Sequence, residues 1–175
     1  REFGYFVTEG SGHLSEYLPY FRKRKDLIAT YMRPGYRGES GFYANQWPTW
    51  RSSRDERRRE ILAGKRELPL NRSHEFAADI IEAHLFDRRM IVYASVPNTG
   101  LIPNLPTTGV VEVPVLVDRR GFAPTCYGPL PEQLAALCRS NMAVYEMAVQ
   151  GLLSQDREAM IQAFLLDPLS AAVCS

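Results

Sequence analysis

The stretch from Val96 to Asp118, VPNTGLIPNLPTTGVVEVPVLVD, limits what this chain can fold into more than any other. Pro97, Pro103 and Pro106 alternate there with Asn98, Gly100, Asn104 and Gly109. That composition excludes a helix or a regular strand before residue 110, because proline removes backbone donors and Asn and Gly favour turns. From Val110 the sequence becomes almost continuously β-branched, which predicts a buried strand. Irregular backbone running straight into a buried strand predicts a close approach to a ligand or partner. The flanks complete a sheet. RMIVYASV, 89–96, reads as a strand, and residues 118–121 form a turn with glycine last before a further strand. Pro114 within VVEVPVLVD predicts an edge, bulge or twist.

The 175 residues suffice for one domain with its own core, and 45% hydrophobic with 23% charged residues suits a water-exposed globular chain. A net charge of +1 gives no reason to expect a nucleic-acid surface. No run approaches the ~20 apolar residues of a membrane-spanning helix. Cys126, Cys138 and Cys174 are odd in number and lack zinc spacing, so reduced, packed thiols in a cytoplasmic protein are expected. The chain starts at Arg1 without methionine and stops after LSAAVC, and is expected to be a piece of a longer protein.

At the N-terminus, Phe3, Tyr5 and Phe6 precede a Gly10-Ser11-Gly12 turn. Residues 14–32 then read as helix, kinked or restarted at Pro19, with the RKRK run at 22–25 on a solvated face. Residues 33–50 mix Gly and Pro with Tyr36, Phe42, Tyr43, Trp47 and Trp50, and are expected to be an irregular loop serving sugar stacking or a subunit contact. A charged helix over 51–64 follows, with Arg54 and Arg58 set against Asp55, Glu56 and Glu60. From Ser73 as N-cap, an amphipathic helix carries Phe76, Ala77, Ile80, Ile81, His84 and Leu85 on one stripe. His84 is expected in the core and His74 at the helix start, where either a structural or a site role is open. Pro131 at N1 opens a long helix with Leu134, Cys138, Asn141, Tyr145, Ala148 and Leu152 in helical register. Asn141 on that apolar stripe needs a hydrogen-bond partner or a ligand. A last helix covers 156–166 and ends at Asp167-Pro168.

No metal, nucleophile or phosphate-loop signature is present, and His13 with Glu16 is too small a set for a metal. The residues alone define an α+β domain with a polar loop cluster.

Four segments together carry a resemblance: GYFVTEGSGHLSEYLPYFRK, NTGLIPNLPTTGVVEVPVLVD, GPLPEQLAAL and LDPLSAAV. In this order and spacing they resemble the C-terminal half of family 4 glycoside hydrolases, in the α-galactosidase and α-galacturonidase branch. The implied fold is α+β, similar to the C-terminal domain of lactate and malate dehydrogenases, with a mixed or antiparallel sheet packed with helices. Residues 1–175 would be the substrate and oligomerisation domain, with the NAD-binding Rossmann domain upstream. The implied chemistry departs from the two-carboxylate scheme. NAD takes hydride from sugar C3, a base removes the C2 proton, the aglycone is eliminated, water adds and hydride returns. Mn2+ stabilises the enediolate as a Lewis acid. The resemblance places most NAD and Mn2+ contacts in the upstream half, so no metal role passes to Cys126, Cys138, Cys174 or His13. It makes Tyr5 the candidate base, with Glu9 and Tyr17 as rivals. It sets Asn98, Asn104, Glu112 and His74 near the sugar or nicotinamide, and marks Cys138 as a departure from a common asparagine. A carbohydrate substrate, a homo-oligomer (dimer or tetramer), and neither nucleic acid nor membrane are implied as partners. The alternative is a dehydrogenase-like domain kept for oligomer contacts, without glycosidase activity.

Overall fold

The computed structural model describes residues 2–6, 11–31, 42–72 and 74–173. Ten elements follow in chain order: helices α1 (Ser11–Tyr17), α2 (Lys25–Tyr31), α3 (Phe42–Leu62) and α4 (Ala77–Phe86), strands β1 (Met90–Pro97), β2 (Val110–Asp118) and β3 (Gly121–Pro124), and helices α5 (Glu132–Ser154), α6 (Arg157–Leu166) and α7 (Pro168–Val173). The expected α+β architecture is present, and its sheet is antiparallel, in the order β1-β2-β3.

The valine run is the centre of the core. Met90 pairs with Val117, Val92 with Val115, Ala94 with Val113 and Val96 with Val111, so the period of two sends all eight to one face. Val113, Val115 and Val117 are completely buried, against Ala83 of α4, Ala135 of α5, and Ile102 and Leu105 of the loop before β2. Small side chains on the two helices let them come close to the sheet. Pro114 lies in the central strand, not on an edge, and the pairing explains why. Thr125 donates its backbone N–H (2.9 Å) and its hydroxyl (2.7 Å) to the Pro114 carbonyl. The backbone of residue 114 therefore faces β3, and the ladder to β1 loses nothing. The missing donor falls where β3 ends at Pro124, so proline terminates that pairing. At the other end, Arg120 clasps the buried Asp118 carboxylate through its side chain (2.6 Å) and backbone N–H (2.8 Å) across the turn. Hydrogen bonding from Arg120 holds the Asp118 carboxyl below the usual carboxylate range.

Several helix expectations are corrected. Pro19 does break the first helical segment, into α1 and α2. Residues 42–50 are helical and form the first half of α3, while 33–41 lie outside the described residues. Pro48 lies inside that helix, beyond its first turn, and its carbonyl accepts from the Ser52 hydroxyl at 2.8 Å. Tyr43 meets Trp50 edge-on at 6.1 Å, and the Arg54 guanidinium lies 5.3 Å from the Trp47 ring, so side chains seven apart bridge two turns. The expected ion pairs among Arg54, Arg58, Asp55, Glu56 and Glu60 give way to Glu60–Arg66 at 3.3 Å. Helix α4 begins at Ala77 with Phe76 before it as a cap without a side-chain bond, whereas Ser73 lies outside the described residues. Arg72 reaches across to Asp79 and to Glu82 (3.1 Å) on the first turns of the helix. Only Ala83 of α4 is buried; Phe76, Ile81 and Leu85 are exposed, because the helix is apolar on more than its core face. His84 is exposed too, its Nδ1 3.3 Å from the Asp118 carbonyl, and is not a core histidine. Cys126 and Cys138 are free but exposed, so neither is fully packed, and Cys174 is outside the described residues. Pro131 caps α5 instead of entering it. Asp167-Pro168 ends α6 and also starts α7, the Asp167 carboxylate accepting from the Ser170 N–H at 2.7 Å.

The loop 98–109 is held by one side chain. Asn98 is wholly buried, and its amide N–H groups are shared among the carbonyls of Ile102 (3.0 Å), Leu105 (3.1 Å) and Pro106 (3.1 Å). Its Oδ1 accepts from the Ile102 N–H at 3.0 Å, and its own N–H reaches the Gly109 carbonyl at 2.9 Å, closing the loop mouth. A Cβ at Gly109 would fall 1.8 Å from Met142 Cε, so this loop end needs glycine to lie against α5 unless Met142 moves. Asn98→Leu would strand several buried carbonyls and is predicted to destabilise the protein by about 3 kcal/mol. Chemical denaturation measures it, and a change below about 1 kcal/mol would contradict this role.

Candidate functional site

Helix α5 is amphipathic, and the side not used for the core lines two adjoining cavities. The larger, about 970 Å³, lies between α5 and the N-terminal segment with α1, and is walled by Phe3, Tyr5, Tyr17, Tyr20 and Phe21 against Leu134, Leu137, Cys138, Asn141 and Tyr145. The smaller, about 460 Å³, opens between α5 and the sheet, with Tyr93 and Glu112 from the strands, Ile102 and Leu105 from the loop, and Tyr127 beyond β3. Leu130, Cys138, Asn141 and Tyr145 line both, so they form a common waist. Gln133 Nε2 donates to the Phe3 carbonyl at 3.3 Å and ties the N-terminal segment to this helix.

The sequence-selected residues divide sharply. Tyr5, half exposed, is in the wall of the larger cavity, and so is Tyr17. Glu9 lies outside the described residues. Glu112 is exposed, as its alternation with valines suggests, and borders the smaller cavity. Asn98 offers a ligand no surface, since its amide is buried and committed to the loop. Asn104 is similarly engaged: it donates to the Leu130 carbonyl (2.8 Å) and accepts from the Leu130 N–H (2.9 Å). Both asparagines therefore act on the cleft through the walls they fix, Ile102 and Leu105 in one case and Leu130 in the other. His74 is exposed ahead of α4 and lines neither cavity.

Arg139 completes the Asn104 clasp, donating to the Asn104 carbonyl at 3.0 Å and pairing with Glu132. Its guanidinium, hydrogen-bonded to Glu132, holds that carboxyl below the usual carboxylate range. Tyr145 is shifted the other way, raised first by burial and then by Tyr17 and Asp167, so its phenol stays protonated and can donate. Burial likewise pushes the Cys138 thiol up, against the charge of Arg139. Among the described residues no group of three His, Cys, Asp or Glu could hold a metal ion. No helix among them is long and apolar enough to cross a membrane. Sequence reading did not single out Tyr93, Tyr127 and Tyr145 as site residues; for Tyr145 the available signal was its place one turn beyond Asn141 on the same stripe.

A small antiparallel sheet backed by helices, with an aromatic cleft along one long helix, defines an α+β domain whose polar groups converge on one side. The match to the family 4 glycosyl hydrolase C-terminal domain runs over residues 1–170, and the chain belongs to that family. It is 38% identical over 99% of its length to an α-galactosidase of Bacillus subtilis and 37% identical over its whole length to one of Rhizobium meliloti. It spans only 39% and 36% of those relatives, corresponding to their C-terminal part. The crystal structure of lplD from Bacillus subtilis superposes with a TM-score of 0.61 at 26% identity, covering 96% of this chain and 43% of that one. Two 6-phospho-α-glucosidases from gut microorganisms share the fold at 24% and 22% identity, with TM-scores of 0.61 and 0.53. One was solved with NAD and glucose-6-phosphate and the other with NAD and Mn2+; the matches cover 73% and 65% of this chain and 31% and 26% of theirs.

The clasp gives a pH prediction with a definite sign. A depressed Glu132 pKa adds stability above the unfolded value of ~4.3, lost as pH falls through the folded value. Carbon-detected NMR of the Glu132 carboxyl should give a midpoint below ~4.3 that returns toward it in Arg139→Gln. An unchanged midpoint in the variant would contradict the pairing.

Proposed function

We propose that this chain is the sugar-side part of a family 4 α-glycosidase acting on α-galactosides or α-galacturonides by the NAD-dependent oxidation–elimination route. The observation that carries the reading is identity of 37–38% to two α-galactosidases across essentially the whole chain. This reading places Mn2+ and most NAD contacts on the part of the relatives that this chain, spanning 39% of one of them, does not match. What this chain contributes is the cleft: aromatic walls against which a sugar ring packs and hydroxyl groups that orient it. Tyr5 is the proposed base, with Glu9 and Tyr17 as its rivals and Tyr145 as a protonated donor. A homo-oligomeric enzyme belongs to the same reading.

In the full-length protein, hydrolysis of p-nitrophenyl α-galactoside or α-galacturonide should require both NAD and Mn2+, and the 175-residue chain alone should hydrolyse neither. Activity that survives chelation and NAD removal together would overturn the reading in favour of a different hydrolytic scheme. Tyr5→Phe should lower kcat about 100-fold or more with little change in KM, as loss of a base does. An equal loss in Tyr17→Phe, with Tyr5→Phe unaffected, would move the role to Tyr17.

A further inference from the structure

Asn141 is the polar residue that the stripe of α5 does not explain. It follows Leu134, Leu137 and Cys138 at helical spacing and precedes Tyr145, on the face lining both cavities. It is half-buried, and no fully buried side-chain polar atom among the described residues lacks a partner, so its remaining polar groups stay accessible. Its Nδ2 donates to the Leu137 carbonyl one turn back, at 3.1 Å. That single bond leaves a second N–H and the Oδ1 acceptor without a partner in the described residues. Asn141 lines both cavities, so these groups are within reach of a ligand in either.

The chemistry of the lining narrows the ligand. One donor and one acceptor side by side match a hydroxyl group, which needs both. Aromatic rings lie on either side, Tyr5 and Tyr17 in one cavity and Tyr93 and Tyr127 in the other, and suit the C–H faces of a sugar ring. No Arg, Lys or His lines either cavity among the described residues; the charged groups there are Glu2 and Glu112. A carboxylate or phosphate held against this wall would lose water beside two carboxylates and gain no cation from the lining itself. We infer that Asn141 is a specificity residue that binds a hydroxyl of an uncharged sugar, and that this cleft selects neutral glycosides over uronides and sugar phosphates. This rests on the carbohydrate reading above and divides its two candidate substrate classes.

Titration calorimetry of the full-length protein with D-galactose and D-galacturonate tests it, in wild type and Asn141→Leu, with thermal unfolding of both. Galactose should bind at least tenfold more tightly than galacturonate, and Asn141→Leu should weaken galactose about tenfold, the scale of one or two lost hydrogen bonds. The Tm should hold or rise, because leucine completes the apolar stripe, whereas a merely structural asparagine would lower it. Should Asn141→Leu fail to fold, Asn141→Ala is read by the same criteria. Galacturonate binding as tightly as galactose, a variant that keeps galactose affinity within twofold, or a wild type that binds neither sugar would overturn the inference. Galactose binding that depends on Asn141 without hydrolysis of any α-galactoside would count against the proposed activity alone. Hydrolysis with Asn141→Leu unaffected would count against this inference alone.

Discussion

The cleft depends first on the buried amide of Asn98. Its four side-chain hydrogen bonds turn a stretch with Pro97, Pro103 and Pro106, which cannot form regular ladders, into a fixed loop. With that loop fixed, Ile102 and Leu105 belong at once to the core and to the cavity wall. The pairing of Asn104 with Leu130 extends the same device to the waist, and Arg139 and Glu132 brace it from α5. A buried amide with every bond made is rigid, and rigidity of the wall is what a site needs from its second layer of residues.

This changes the meaning of the asparagines. An Asn-rich loop beside a buried strand predicts a polar lining for a ligand, yet these amides point their hydrogen bonds at the loop's own carbonyls. The polar lining comes from α5 and from tyrosines on several elements instead. Sequence distance hides that convergence, since Tyr5, Tyr93, Tyr127 and Tyr145 lie on four separate segments.

The sheet was legible because its signals are local: alternation of buried valines, a turn ending in Gly121, and a proline whose effect depends on one neighbour. Helices were legible where the apolar period is long, as in α5, and where a proline marks the end, as at Asp167-Pro168 for α6. The start of α4 was not, because Phe76 stands at its N-cap without a side-chain hydrogen bond, and no cap residue announces it. Nor was the helical state of 42–50, where aromatic and cation–π pairs seven residues apart stabilise a sequence that reads as loop. Of the site, Tyr5, Tyr17, Glu112 and the unpartnered Asn141 could be picked out beforehand. Family resemblance supplied the chemistry, which spacing within this chain does not contain.

The central claim is a division of labour: Asn98 and Asn104 build the cleft, and the exposed side of α5 meets the sugar. A crystal structure of the full-length protein with a bound α-galactoside tests it most directly. The account predicts sugar against Asn141 and Tyr145, with the Asn98 amide still bonded to the carbonyls of Ile102, Leu105 and Pro106. A sugar bonded to the Asn98 side chain, or seated away from α5, would contradict it.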